Sequence, residues 1–285
     1  MRQRVARSRE LVAQGRPAAV VACVARISRQ AIYRRPARPP KGQRRRLDAT
    51  DRVVLEIARA NAADGTRMVA ALAARDAGRP VNRKRVQRLM REHRLLQPKR
   101  SEGRRRRPGY FQITRPDELW HLDMTSVWVA EHGWCYLNAA IDCCTREIVA
   151  WALDLRCRAP EAIAVIERAV AERAISPGRL TVGTDNGSAF TSRAFRARLA
   201  EHAIAHRRGG YRDPESQAFI ESWFSKLKQR CIWREEFETL DQARAVIGSY
   251  VDAYHHRPHQ GLAYRTPAEV AQTWKDQQAQ SIPAA

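Results

Sequence analysis

The chain has 285 residues, 44% of them apolar, which is enough to bury a full core. Its 52 lysines and arginines against 30 acids leave a formal charge of +22, well beyond what solubility requires, so a polyanionic partner is expected. No stretch of about 18 apolar residues occurs, and MRQRVARSRE lacks the apolar run of a signal peptide; a membrane-spanning class is excluded and a cytoplasmic, nucleoid-associated location is expected.

Residues 11–35 carry apolar positions at helical spacing up to a break at Ile27-Ser28, where Ser28 is an N-cap, and then a short basic helix ending in Arg34-Arg35. This fits a helix-turn-helix over 1–36 or a plain helical hairpin. The Pro-rich stretch that follows reads as a linker over 37–47. Helical patterning returns over 48–97 in three segments. The last has Asn82 as N-cap, an apolar stripe of Val86, Leu89 and Met90, and Arg83, Lys84, Arg85, Arg88 and Arg91 on the other face. Five bases so close together favour DNA phosphate contact over a merely solvated face. Residues 98–112 hold Arg104, Arg105, Arg106 and Arg107 between prolines and glycines, which predicts a flexible basic DNA-binding tether.

From 113 the pattern turns extended. LWHLDMTSVWV (119–129), GWCYLNAAID (133–142) and EIVAWALD (147–154) are rich in aromatic and β-branched residues and joined by short turns, which predicts three antiparallel strands. An amphipathic helix over 158–174, stopped by Pro177-Gly178, leads to LTVGT (180–184), a fourth strand expected to pair in parallel. A helix over 191–204, a fifth strand in AHRRGG, a helix from Pro214 to Ile232 and another over 239–257 precede a polar tail. The expected fold is α/β: a mixed five-stranded sheet with flanking helices over 113–275, preceded by all-α modules and followed by a tail over 276–285. The six cysteines (Cys23, Cys135, Cys143, Cys144, Cys157, Cys231) form no C-x-x-C pair and read as reduced, mostly core residues.

Three acids stand out. Asp123 lies inside the first strand among Trp120, Leu122 and Met124, where an acid needs a compensating partner. Asp185 follows the fourth strand at the end where parallel strands present ligand sites, with Asn186 and Gly187 allowing a tight, φ-positive turn. Glu221 lies in the helix from Pro214, with Ser225 and Lys228 on its face. Converging carboxylates raise one another's pKa unless a cation neutralises them, and oxygen-only ligands select Mg²⁺ or Mn²⁺. Two such ions about 3.5–4 Å apart suit an in-line phosphodiester displacement. Thr125 shares the strand face of Asp123 and is placed to hydrogen-bond a ligand, and Lys228 to contact a phosphate. Asp142 ends a strand, with Arg146 offering a salt bridge. The cluster of His255, His256, Arg257, Pro258 and His259 admits a zinc site or DNA or subunit contact, the latter preferred in the absence of nearby cysteine. His202 and His206 read as surface residues.

LWHLDMT (119–125), AIDCCTREIVAW (140–151), TDNGSAF (184–190), ESWFSKLK (221–228) and YHHRPHQGLAYRTPAEV (254–270), with 35 residues between Asp185 and Glu221, resemble the DDE transposases of the insertion sequence three family, OrfB type. The helices near the N-terminus resemble that family's DNA-binding modules. The resemblance implies an RNase H-like, retroviral-integrase-like core in which Asp123, Asp185 and Glu221 bind two Mg²⁺ ions and catalyse DNA strand cleavage and 3′-OH strand transfer. It also implies DNA contacts by Lys228, Thr125, Asn186, Arg257 and His259. The implied partners are double-stranded DNA at element ends and target, further copies of the chain, and an upstream OrfA-type helix-turn-helix protein. The chain departs from the family at Ser216-Gln217-Ala218 and at Asp64-Gly65-Thr66-Arg67. Two rival readings are a DNA-binding regulator retaining the core without activity, and a hydrolase of RNA–DNA hybrids.

Overall fold

The computed structural model describes residues 2–33, 47–97, 113–209 and 217–281. The chain divides into two compact units, Met1–Asp48 and Ala49–Ala285.

In the first unit, α1 (Arg2–Ala13), α2 (Ala18–Val24) and α3 (Arg29–Tyr33) bury Val21, Ala22 and Ile32 against Leu11, Val12 and Ile27. The apolar spacing predicts one helix up to Ile27. The chain breaks it at Gly15, whose φ of +88° favours glycine, and at Pro17, which precedes α2. Ser28 caps α3 as expected, its hydroxyl accepting from the Ala31 N–H at 3.3 Å.

The second unit opens with α4 (Ala49–Ala60), α5 (Thr66–Asp76) and α6 (Arg83–Glu92), which enclose Val54, Val69, Val86, Leu89 and Met90. Asn82 caps α6, accepting from Lys84 N–H at 2.8 Å. These helices belong to the same compact unit as the sheet. Arg75 of α5 pairs with Glu269 at 2.7 Å, and Asp64, in the α4–α5 turn, meets Arg230 and Arg257.

The sheet comprises β1 (Leu119–Val129), β2 (Gly133–Asp142), β3 (Ile148–Asp154), β4 (Thr181–Thr184) and β5 (Ala205–Arg208), in the order β3-β2-β1-β4-β5. The first three strands are antiparallel neighbours, while β4 runs parallel to β1 and β5 parallel to β4, as expected. Side-chain alternation divides β1 between two cores. Trp120 and Leu122 pack toward α7 (Ala159–Glu172), α8 (Ser188–Thr191) and α9 (Arg193–Glu201). Val127 and Val129 pack toward α10 (Ala218–Arg230) and α11 (Leu240–His255). A central sheet apolar on both faces and covered by helices on each, in this strand order, is the RNase H-like architecture.

Two expectations need correction. The predicted polar tail is largely a helix, α12 (Pro267–Ser281). It opens with Pro267 behind a reciprocal cap: Thr266 Oγ1 accepts from Glu269 N–H at 3.1 Å and Glu269 Oε2 from Thr266 N–H at 2.9 Å. Nor does Asp142 pair with Arg146 through a side-chain ion pair. Its carboxylate is fully buried and accepts from the N–H groups of Asp117, Cys144 and Thr145, each at 2.7 Å, because the turn after β2 folds its backbone donors inward. All six cysteines are free.

Candidate active site

Asp123 sits in the middle of β1 opposite Ala139 of β2, on the face turned to α10. Its Oδ1 accepts from the Met124 N–H at 2.8 Å. Burial above all, then the charges of Asp185 and Glu221, push its carboxyl up to about 6, opposed by the Met124 N–H and by Lys228. Side chains from the end of β4 and from α10 therefore lie close enough for their charges to act on Asp123 of β1.

The pairing of β1 with β4 explains how the two aspartates meet. The strands are parallel, and their last bridged pair is His121 with Gly183. Each aspartate lies two residues beyond that pair and so leaves the sheet on the same face. Asp185 is exposed, and its Oδ1 accepts from the Gly187 N–H at 2.8 Å. The expected φ-positive turn does not form: φ at Gly187 is −59°. The turn is close-packed instead: a Cβ at Gly187 would lie 3.0 Å from Asp185 Oδ1 and 3.4 Å from Phe190 Cδ2. Asn186 donates from Nδ2 to the Gly209 carbonyl at 3.0 Å, while Gly209 N–H donates to Thr184 at 2.9 Å. Asn186 thus ties the turn to the end of β5.

Glu221 is exposed in the first turn of α10, which is described from Ala218; the predicted start at Pro214 lies outside the described residues. Ile220, Trp223, Phe224 and Leu227 bury the opposite side of the helix in the sheet, which turns Glu221, Ser225 and Lys228 away from that core. Thr125 is buried on the Asp123 face, opposite Leu137.

A stack that motif reasoning overlooks braces these elements. His121, two residues before Asp123, lies against Phe219 of α10 with ring centroids 5.8 Å apart and planes 21° apart, and the Arg146 guanidinium carbon sits 3.2 Å from the Phe219 centroid. Burial, then Arg146 and Arg207, push His121 down to about 4, so it is neutral near pH 7. Gly183 makes room for the ring: a Cβ there would stand 2.9 Å from His121 Cδ2. A histidine and a glycine each two residues before a candidate aspartate were the available signal.

Other candidate residues have partners inside the protein. Arg85 pairs with buried Asp51 at 2.6 Å, whereas Arg83, Lys84 and Arg88 are exposed on α6. Arg257 donates to Asn61 at 2.9 Å and pairs with Asp64. His259 accepts through Nδ1 from the Gly261 N–H at 3.1 Å, and burial, then Lys226, Arg146 and Arg230, push it down to about 4. His255 Nε2 accepts from the Ile148 N–H at 3.0 Å. Arg104 to Arg107 lie outside the described residues. Among the described residues no group of three His, Cys, Asp or Glu side chains closes into a metal cluster. The donor chemistry of Asp123, Asp185 and Glu221 nevertheless fits a hard divalent ion: three carboxylates, with Asp123 raised first by burial and then by the charge of the other two.

Two family profiles, each described as an integrase core domain, match residues 113–214 and 202–267. A third, described as an HTH-like domain, matches residues 45–107, the stretch that includes α4–α6. The chain is 31% identical over 203 residues to an uncharacterized 39.2 kDa protein of insertion element IS476 from Xanthomonas euvesicatoria, covering 70% of this chain and 58% of that one. It is 31% identical over 161 residues to the transposase of IS904 from Lactococcus lactis, covering 56% and 63%. To transposase InsF of IS3A from Escherichia coli it is 29% identical over 147 residues, covering 52% and 50%. The chain thus spans between 50% and 63% of the length of these curated relatives. Among solved structures it is similar to a chain of a simian T-cell lymphotropic virus intasome, with a TM-score of 0.49 and 16% identity over 75% of this chain and 73% of that one. Integrase-core profiles thus run from 113 to 267, and insertion-sequence transposases are among the proteins the chain is similar to.

Proposed function

We propose that the chain is a DNA transposase that binds the ends of an insertion sequence, cleaves a DNA strand and joins the freed 3′-OH to a target strand. The observation that carries this reading is the placement of Asp123 and Asp185 two residues beyond the paired His121 and Gly183, beside α10 with Glu221 and Lys228, whose charges act on Asp123. Such a group of carboxylates beside a lysine suits phosphodiester chemistry in a chain of charge +22. Asp123, Asp185 and Glu221 would hold two Mg²⁺ ions, with Mn²⁺ able to substitute, and bound there the ions would supply a deprotonated nucleophile and neutralise charge on the phosphate.

The protein's own groups do the positioning. The Gly187 turn aims Asp185, the His121–Phe219 stack fixes β1 against α10, and Lys228 contributes positive charge for a phosphate oxygen. Water attacks the scissile phosphodiester first and leaves a 3′-OH; that hydroxyl then attacks a target phosphodiester and displaces another 3′ oxygen. Duplex DNA is bound through its phosphates by Arg83, Lys84 and Arg88 of α6 and by the arginine run 104–107. Partners are the terminal inverted repeats, target DNA, further copies of the chain and an upstream OrfA-type protein, at the nucleoid.

The test is Asp185→Asn in the full chain. Cleavage and strand transfer on a labelled duplex end should vanish while duplex affinity stays within about twofold. A variant that still joins strands would sink the assignment.

A further inference from the structure

Three tryptophans stand largely in solvent at one place. Trp128 and Trp134 face each other across the β1–β2 hairpin, 55% and 58% exposed, edge to face at 5.3 Å between centroids. Trp233, in the 3-10 turn Ile232–Arg234 after α10, is 69% exposed. Together they line a groove of about 500 Å³ along the part of β1 that β4 does not pair. A concentration of exposed indole on one surface marks a binding site rather than ordinary surface composition.

The groove is built, not incidental. The hairpin tip is pinned to the segment beyond the 3-10 turn by Ala130 N–H donating to Phe237 O at 2.8 Å and Glu131 N–H to Glu238 O at 3.0 Å. Phe237 is buried beneath it. Lys228 lines the same groove and belongs to α10, the helix that also carries Glu221.

The lining chemistry selects an occupant. Indole faces stack on any base, and Lys228 offers a phosphate contact. Glu235 and Glu236 on the rim repel a run of phosphates yet accept hydrogen bonds from the exocyclic amino groups of bases. A duplex laying its backbone through the groove is disfavoured; unpaired nucleotides, base inward and phosphate at Lys228, are suited. We propose that this groove binds single-stranded DNA, the unpaired nucleotides flanking the scissile phosphodiester. The location of that phosphodiester rests on the transposase reading; the binding itself does not.

The test measures anisotropy of a labelled single-stranded oligonucleotide of about 12 nucleotides on the full chain in chelator, against a blunt duplex of the same sequence. Trp233→Ala and Trp128→Ala should each weaken single-strand binding on the order of tenfold, with Trp233→Phe within about threefold of the parent and duplex affinity nearly unchanged. Equal loss on both DNAs, or no loss on the single strand, overturns the proposal. So does a Trp233→Ala chain that binds the single strand normally but sediments as a smaller assembly, which would assign the surface to a second copy of the chain. Because chelator removes cleavage from the readout, the two readings fail separately: tryptophan-dependent binding can hold while Asp185→Asn sinks the transposase assignment, and the reverse.

Discussion

Replacing Asp64 with alanine should destabilise the second unit strongly although the residue lies far from the active site in sequence. Its side chain is 2% exposed, with Oδ1 on Arg230 and Oδ2 on Arg257, whose side chains are 18% and 25% exposed; Arg257 is further held by Asn61 at 2.9 Å. Removing one member of a buried ion pair costs about 3–5 kcal/mol, because the remaining charge stays desolvated without a counter-charge. Here one carboxylate serves two guanidinium groups, so the upper half of that range applies. For a unit of this size, each kcal/mol lowers the midpoint by roughly 2–4 °C, so thermal unfolding should drop by roughly 8–20 °C. Arg230→Ala and Arg257→Ala should each cost less, since Asp64 keeps one partner, and adding either to Asp64→Ala should recover stability by removing an orphaned cation. An Asp64→Ala chain within about 1 kcal/mol of the parent, or strict additivity in those double-mutant cycles, would refute the hub.

Two further outcomes follow from the active-site geometry. Asp123→Asn should stabilise the metal-free chain near neutral pH: a folded pKa of about 6, above the ordinary 3.8, means that the folded state holds its proton more tightly. The stability that proton lends is present below the ordinary pKa and lost as pH rises through the folded one, up to about 3 kcal/mol. Thermal unfolding in chelator should therefore favour the variant at neutral pH and show no difference at pH about 3; a gain at neither pH would contradict this. Gly183→Ala should cost about 1–3 kcal/mol and slow cleavage more than it weakens duplex binding, because its Cβ would lie 2.9 Å from His121 Cδ2. Denaturant unfolding with parallel cleavage rates checks it, and an unchanged midpoint with an unchanged rate would refute the brace.

What could be read from the sequence was set by how local the cause was. The strands declared themselves through β-branched and aromatic runs, and Asn82 and Ser28 through N-cap positions whose partners lie two or three residues on. The cap of α12 was equally local, with Thr266 three residues before Glu269, but its polar composition masked it. The Asp142 expectation failed for another reason. Spacing of four residues implies neighbours on a helix, and Asp142 to Arg146 spans the end of a strand and a turn, where the nearest donors are backbone N–H groups. The Asp64 partners lie 166 and 193 residues away, beyond any local pattern.

The aspartates occupy the middle ground, because their convergence depends on the direction of one strand pair. A helical crossover between β3 and β4 favours parallel pairing, and parallel strands advance together. With His121 opposite Gly183, moving two residues along each strand brings Asp123 and Asp185 to the same level and face. Had β4 run antiparallel to β1, the same step would have carried the carboxylates in opposite directions from that pair. The crossover was visible in the sequence, but the register was not: it pairs His121 with Gly183, where a Cβ would stand 2.9 Å from His121 Cδ2. Gly183 is also the residue that leaves room for the histidine that braces β1 against α10, so the close contact beside the two aspartates also supports the helix that carries Glu221.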